Sequence, residues 1–274
     1  MNRPVFRFAP SPNGHLHLGH ALSALLNAEA AQRENGRLLL RIEDIDQQRC
    51  PPHLIQQTFE DLAWLGLIWE QPVRIQSQHM DAYQALQNRL TAMGLLYPCT
   101  CSREDIAAAA RASPRDPDGQ PLYPGTCKQR PPAPDRPHAL RLDMAAAVKL
   151  APRLCWQERG EGLVAAHPEA WGDLVLVRKD ISVSYHIAVV NDDALQGITR
   201  VIRGRDLYHA TSIHRLLQTL LDLPAPVYQH HRLIETDGRK LAKSAGDRSL
   251  ASLRAEGVTP SEIRRSLGLQ AAFD

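Results

Sequence analysis

Residues 5–43, VFRFAPSPNGHLHLGHALSALLNAEAAQRENGRLLLRIE, constrain the fold more than any other stretch. Val5 to Ala9 alternates apolar with other residues and reads as a strand, which Pro10 and Pro12 end. Leu18, Leu22, Leu25 and Leu26 follow at i, i+4, i+7 and i+8, the apolar stripe of a helix. Gly36 is its expected C-terminal stop. RLLLRIE then has the near-continuous apolar character of a buried parallel strand. Strand, helix and strand make a right-handed βαβ unit, whose ligands sit at the carboxyl ends of the strands. Arg7 to Ser11, the turn His17-Leu18-Gly19-His20, and Glu43-Asp44 all reach that edge. A helix N-terminus offers free N–H groups and positive dipole character, so the turn suits an anion. A plain turn that happens to hold two histidines is the alternative. Neither a G-x-G-x-x-G fingerprint nor a G-x-x-x-x-G-K-[ST] loop is present.

Further along, residues 53–70 and 80–94 read as helices. A cysteine region and two Pro-rich loops, SPRDPDGQPLYPG and RPPAPDRP, reach to about residue 138. DLVLVRKD from Asp173 and ITRVIRG read as strands. A helix follows, with Ile213, Leu216, Leu217, Leu220 and Leu221 on its apolar side, then the strand VYQHHRLIE and the loop TDGRKLAKS. The expected architecture is α/β: a Rossmann-like core interrupted by an insert of about 80 residues. The segments are 1–95 and 173–246 for the core, 96–172 for the insert and 247–274 for a short helical tail.

Composition excludes some classes. The 274 residues carry a net charge of +2, too weak to argue for nucleic acid by itself. No apolar run approaches a membrane span and the start lacks a signal-peptide core, so the chain is expected in the cytoplasm. Its five cysteines then read as reduced. Cys99, Cys101 and Cys127 cluster, which suggests metal, with metal-free thiols as the alternative. Structural zinc takes four ligands, and no histidine is well placed to be the fourth. Cys50 and Cys155 read as ordinary buried or partly buried thiols.

HLGH after the first strand and KLAKS (Lys240 to Ser244) after a late one resemble the HIGH and KMSKS signatures of class I aminoacyl-tRNA synthetases. RFAPSPNGHLHLGHA, RIEDID, YHIAVVNDD and VIRGRDL further resemble the glutamyl branch, over about residues 3–248. Only thirty residues follow Ser244, too few for an anticodon-binding region. The resemblance is therefore closest to the truncated glutamyl-Q tRNA(Asp) synthetase family. That family activates L-glutamate with ATP and attaches it to the queuosine base in the anticodon of tRNA(Asp). A minimal glutamyl-tRNA synthetase, a small-molecule nucleotidylyltransferase and a non-catalytic RNA-binding paralogue are the rival readings.

The resemblance assigns roles to residues. Adenylation builds charge on phosphoryl oxygens and needs positioned donors and cations. His17 and His20 fit as donors to the phosphates of Mg²⁺-ATP, and Gly19 permits close approach. Lys243 is the expected transition-state cation and Lys240 a second phosphate contact. Gly238 and its polar neighbours suggest a loop that closes on ATP. For glutamate, Arg7 and Arg203 suit the carboxylates, Ser11 can donate, Glu43 can take the ammonium and Tyr185 offers a phenol. Phe8, Ala9 and Pro10 complete that segment. The family's C-x-C…Y-x₃-C zinc pattern adds Tyr123 to Cys99, Cys101 and Cys127. An asparagine is expected four residues after the tyrosine in discriminating synthetases, where this chain has Val189. Arg200, Arg203, Arg205, Arg215, Arg264 and Arg265 could touch RNA phosphates or be a solvated face. The chain is expected as a monomer.

Overall fold

The computed structural model describes residues 3–109, 114–130, 133, 135–236, 239–240 and 248–269. Along the chain the first half runs β1 (Val5–Phe8), α1 (Leu18–Arg33), β2 (Arg37–Ile42), α2 (Pro52–Trp64), β3 (Glu70–Ile75), α3 (Met80–Ala92), β4 (Leu96–Cys99), α4 (Arg103–Ala109), α5 (Thr126–Gln129) and β5 (Ala139–Leu142). It continues α6 (Met144–Leu150), β6 (Cys155–Glu158), β7 (Gly162–Ala165), β8 (Val175–Val177), α7 (Tyr185–Leu195), β9 (Arg200–Gly204) and α8 (Thr211–Leu220). It ends β10 (Val227–His231), β11 (Glu235–Thr236), β12 (Arg239–Lys240), α9 (Leu250–Ala255) and α10 (Pro260–Ser266).

Packing divides the chain into two units. One is Met1–Gln78, Gly197–Tyr208 and Pro226–Asp274; the other is His79–Gln196 and His209–Ala225. These are units of packing, whereas the segments 1–95, 96–172, 173–246 and 247–274 describe chain order and remain a proposal.

In the first unit five strands lie in the order β3-β2-β1-β9-β10, all parallel. The order reverses between β1 and β9, the kind of switch point where α/β sheets bind ligands. Phe8, Leu16, Leu22, Leu25 and Leu40 form a core cluster with Leu62, Leu250, Leu253 and Ile263, which seats α1, α2, α9 and α10. Phe6, Ala30, Leu38 and Ile202 form a second cluster on the same face of the sheet. α9 and α10 lie in the segment expected as a short helical tail, and Arg264 ties α10 to Glu29 of α1 at 2.5 Å.

Gly36 takes part in the expected stop, its N–H donating to the Ala31 carbonyl at 2.7 Å, but what requires a glycine there is a different contact. Asn35 takes the positive φ, +48°, after α1. A Cβ on Gly36 would lie 2.7 Å from the Pro4 carbonyl oxygen, so glycine is needed where β2 starts beside Pro4. The helix expected over 53–70 stops at Trp64, and β3 follows. That strand was not legible, because it is polar and holds Pro72. An edge strand tolerates this, and Val73 and Trp69 pack on the core cluster.

The second unit carries an antiparallel sheet, β4-β5-β8, and the hairpin β6-β7. The strand expected over DLVLVRKD is β8, and it pairs with β5, not with the parallel core. An apolar run of three or four residues fits either kind of sheet, so its partner decides. The apolar side expected for α8 is buried, at Ile213, Leu216, Leu217 and Leu220, with Leu221 just beyond the helix. Tyr83 of α3 donates to Asp192 of α7 at 2.9 Å.

Candidate active site

Strand alternation sorts the edge of the parallel sheet. Phe6 and Phe8 turn to the face that packs α1, so Arg7 takes the other. Leu38 and Leu40 put Arg41 on that second face, and Ile202 does the same for Arg203. Three buried arginines, Arg7, Arg41 and Arg203, thus share one face of one sheet. Arg41 is fully buried and its guanidinium contacts Glu43 Oε1 at 3.1 Å. Arg203 donates from Nε to His230 Nε2 at 3.1 Å and from a terminal nitrogen to the Leu207 carbonyl at 3.2 Å. It also lies 5.1 Å over the Tyr228 ring. Accepting at Nε2 fixes the neutral His230 ring as the Nδ1–H tautomer.

The loop after β1 is pinned to the end of β2, because the Glu43 N–H donates to the Pro10 carbonyl at 3.0 Å. Ala9, Pro10 and Ser11 therefore lie beside Glu43. Ser11 Oγ is 3.8 Å from the buried Cys50 thiol. The Phe8 side chain is in the core, so only its backbone faces that loop.

His17 and His20 close the mouth of α1. His17 Nδ1 accepts from the Gly19 N–H at 3.1 Å, and His20 Nδ1 accepts from the His17 N–H at 3.1 Å. This is a reciprocal capping box built from imidazoles. The N–H groups of His20 and Ala21 are engaged by the His17 carbonyl. The N–H groups of Gly19, His20 and Ala21, expected to be free for an anion, are therefore satisfied inside the turn. A neutral imidazole that accepts at Nδ1 carries its proton on Nε2 and is a donor there. Gly19 serves this cap, since a Cβ would lie 3.0 Å from the His17 ring.

Ser249 forms an isolated bridge with His17, and the Leu250 N–H donates to the Leu16 carbonyl at 2.8 Å. The chain leaving the KLAKS stretch is thus anchored at the histidine turn. Lys240 ends the hairpin β11-β12, while Gly238 and Lys243 lie outside the described residues.

In the second unit Tyr185 begins α7, with its ring 5.5 Å from His186 and 5.6 Å from His214. Val189 is buried on the same helix. The same unit brings Cys99, Cys101 and Cys127 together, all three sulfurs within 4.8 Å of one another. Cys101 Sγ is 3.5 Å from Cys127 Sγ, and Tyr123 Oη is 3.4 Å from Cys99 Sγ and 3.7 Å from Cys101 Sγ. A tetrahedral ion with Zn–S near 2.3 Å and Zn–O near 2.0 Å sets S···S at about 3.8 Å and S···O at about 3.5 Å. The three separations given are compatible with such an ion. Burial and the hydrogen bond to Cys99 push the Tyr123 hydroxyl well above its usual range. Burial raises Cys127 too, but hydrogen bonds from Tyr123, the Thr100 backbone and the neighbouring thiols outweigh it and bring Cys127 down to about 6. Cys155, expected partly buried, is exposed.

The basic residues weighed for RNA contact are mostly occupied. Arg200 faces Glu34 at 3.7 Å, Arg264 binds Glu29, and Arg215 donates to the Cys155 carbonyl at 2.9 Å. Sequence reading missed Arg41 and His230. The signal for the first was there, an arginine inside an apolar strand run. His230 had none.

A parallel sheet with its ligand edge at the β1/β9 switch, and a histidine-capped helix beside it, define a class I synthetase catalytic domain. The family described as "tRNA synthetases class I (E and Q), catalytic domain" matches residues 5–271. The glutamyl-Q tRNA(Asp) synthetase of Rhodobacter capsulatus is 47% identical over 97% of this chain and 100% of its own length. That of Symbiobacterium thermophilum is 40% identical over 94% of this chain and 83% of its own. A solved glutamate tRNA ligase of Elizabethkingia meningosepticum, in complex with its amino acid, superposes with a TM-score of 0.77 at 26% identity. The match covers 97% of this chain and 60% of that one. The chain belongs to the glutamyl-Q tRNA(Asp) synthetase family of class I tRNA synthetases. Among the described residues no helix is long and apolar enough to cross a membrane.

Proposed function

We propose that the chain activates L-glutamate with Mg²⁺-ATP and transfers the glutamyl group to the queuosine base of tRNA(Asp), acting as a monomer in the cytoplasm. The observation that carries this reading is the 47% identity to a glutamyl-Q tRNA(Asp) synthetase across that protein's whole length. A glutamate carboxylate oxygen attacks the α-phosphorus, and pyrophosphate leaves. An acceptor group on the modified base then attacks the activated carbonyl, and AMP leaves.

Arg7 and Arg203 hold the two carboxylates, with Ser11 and the Phe8–Pro10 backbone alongside. Glu43, its charge tempered by Arg41, takes the ammonium. Tyr185 donates to glutamate, a role carried by the family resemblance. His17 and His20 donate Nε2–H to phosphate oxygens, while Gly19 keeps the cap intact. Lys240 and Lys243 stabilise the charge that builds on the phosphoryl group.

Transfer of labelled glutamate to three tRNA(Asp) samples tests the reading. Label should survive loss of the 3′-terminal adenosine and vanish without queuosine. The reverse pattern makes the chain a shortened synthetase that charges the 3′ end.

Cys99, Cys101, Tyr123 and Cys127 are proposed to hold one structural zinc, which supplies cohesion to the second unit and no step of the reaction. Native protein should contain about one zinc per chain, and Cys99→Ser should lose most of it. Metal analysis that finds none in native protein removes the zinc.

A further inference from the structure

Antiparallel pairing of β4 with β5 sets Cys99 opposite Ala139 and Tyr97 opposite Arg141. Opposed residues share a face of the sheet, and so do residues two apart on one strand. Arg141 therefore lies diagonal to Cys99, on the side that carries the thiol. It is buried, and its Nη1 donates to the Asp173 carbonyl at 2.7 Å. That bond fixes the guanidinium where its carbon lies 3.8 Å from the centre of the Tyr123 ring.

The ring needs such a support. Tyr123 sits outside every helix and strand, and two side-chain torsions decide where its oxygen points. The Cys127 N–H donates to Tyr123 Oη at 2.7 Å, and Cys99 Sγ lies 3.4 Å from it, so the oxygen faces the cluster. These contacts hold the oxygen, and Arg141 holds the ring behind it. Charge argues the same way. A tyrosine that joins three thiolates on one divalent ion adds to their negative charge, and a cation over its ring offsets this. Lys128, beside Cys127 in the chain, is taken by Asp143 at 2.7 Å and Asp173 at 3.4 Å. Lys179 donates to the Thr100 carbonyl at 2.7 Å and is exposed. Of these three cations Arg141 is the buried one, and it covers the ring of a proposed ligand.

We propose that Arg141 is a positioning residue for the zinc site, acting through Tyr123: its guanidinium fixes the ring so that Oη serves as the fourth ligand. Contacts of this kind orient a ligand and tune the ion without touching it. The inference deepens the reading of Cys99, Cys101, Tyr123 and Cys127 as a zinc site and rests on it.

The test is the zinc affinity of the full chain, measured by competition with a chromophoric chelator. Arg141→Met should bind zinc about 10–100-fold more weakly than the native chain. Tyr123→Phe keeps a ring under Arg141 and loses only the oxygen. In that background Arg141→Met should change the affinity by less than about threefold. A role in packing alone would give the same loss in both backgrounds. In the cobalt-loaded chain the visible band should shift in Arg141→Met, and it should not shift further when Arg141→Met is added to Tyr123→Phe. Arg141→Lys keeps the charge and should have an affinity between native and Arg141→Met. It takes the place of Arg141→Met in the cycle if that variant does not fold. Native affinity in Arg141→Met, or an undiminished effect in the Tyr123→Phe chain, overturns the proposal and leaves the zinc site standing. A native chain that holds no zinc overturns both.

Discussion

Lys243→Ala is expected to slow glutamate-dependent ATP–pyrophosphate exchange about 10²–10³-fold, the usual cost of one positioned charge-stabilising group. The attacked phosphorus gains negative charge on its oxygens, and a cation that meets it only then lowers the barrier without tightening ground-state binding. The fall should therefore appear in kcat more than in the KM for ATP. Lys243 lies between Lys240 at the end of β12 and Ser249, which bridges to His17 at the mouth of α1. The expected pattern is a loss confined to the exchange rate, with the melting temperature unchanged. An unchanged exchange rate would take Lys243 out of the mechanism and leave the phosphates to His17, His20 and Lys240.

Arg41→Met is expected to cost about 3–5 kcal/mol of stability, the range seen when one partner of a buried ion pair is removed. For a chain of this size that lowers the melting temperature by on the order of 10 °C. Arg41 is fully buried in β2 and its guanidinium contacts Glu43 at 3.1 Å, so methionine strips a mostly buried carboxylate of that cation. The double variant Arg41→Met/Glu43→Leu should recover part of the loss, because it removes the carboxylate that Arg41 faces as well. A double variant as unstable as the single one would place the cost in packing. The single variant should also weaken glutamate binding, because Arg41 holds the carboxylate proposed to take the ammonium.

Parts of this molecule were legible because they depend on near neighbours in the chain. The strand, helix and strand of residues 5–43 announce themselves by period, and so does the buried side of α8. The three cysteines were visible as a cluster, and the family pattern singled out Tyr123. The candidate glutamate and phosphate residues were named from HLGH, KLAKS and the chemistry of carboxylates. Their roles remain proposals, and the loop that holds Lys243 lies outside the described residues.

Local sequence by itself determined the βαβ unit, a helix over 80–94 that the structure ends at Ala92, the apolar side of α8 and the spacing of C-x-C with Y-x₃-C. Tertiary structure alone decided that β8 pairs with β5, that Arg41 is buried against Glu43, and that His230 accepts from Arg203. It also decided that Gly36 is glycine because Pro4 runs past it, and that Arg141 lies over the Tyr123 ring. The physical reason is the range of the interactions. Periodicity and caps act within a few residues, whereas strand pairing, buried ion pairs and ring contacts join groups whose separation along the chain carries no information about their contact.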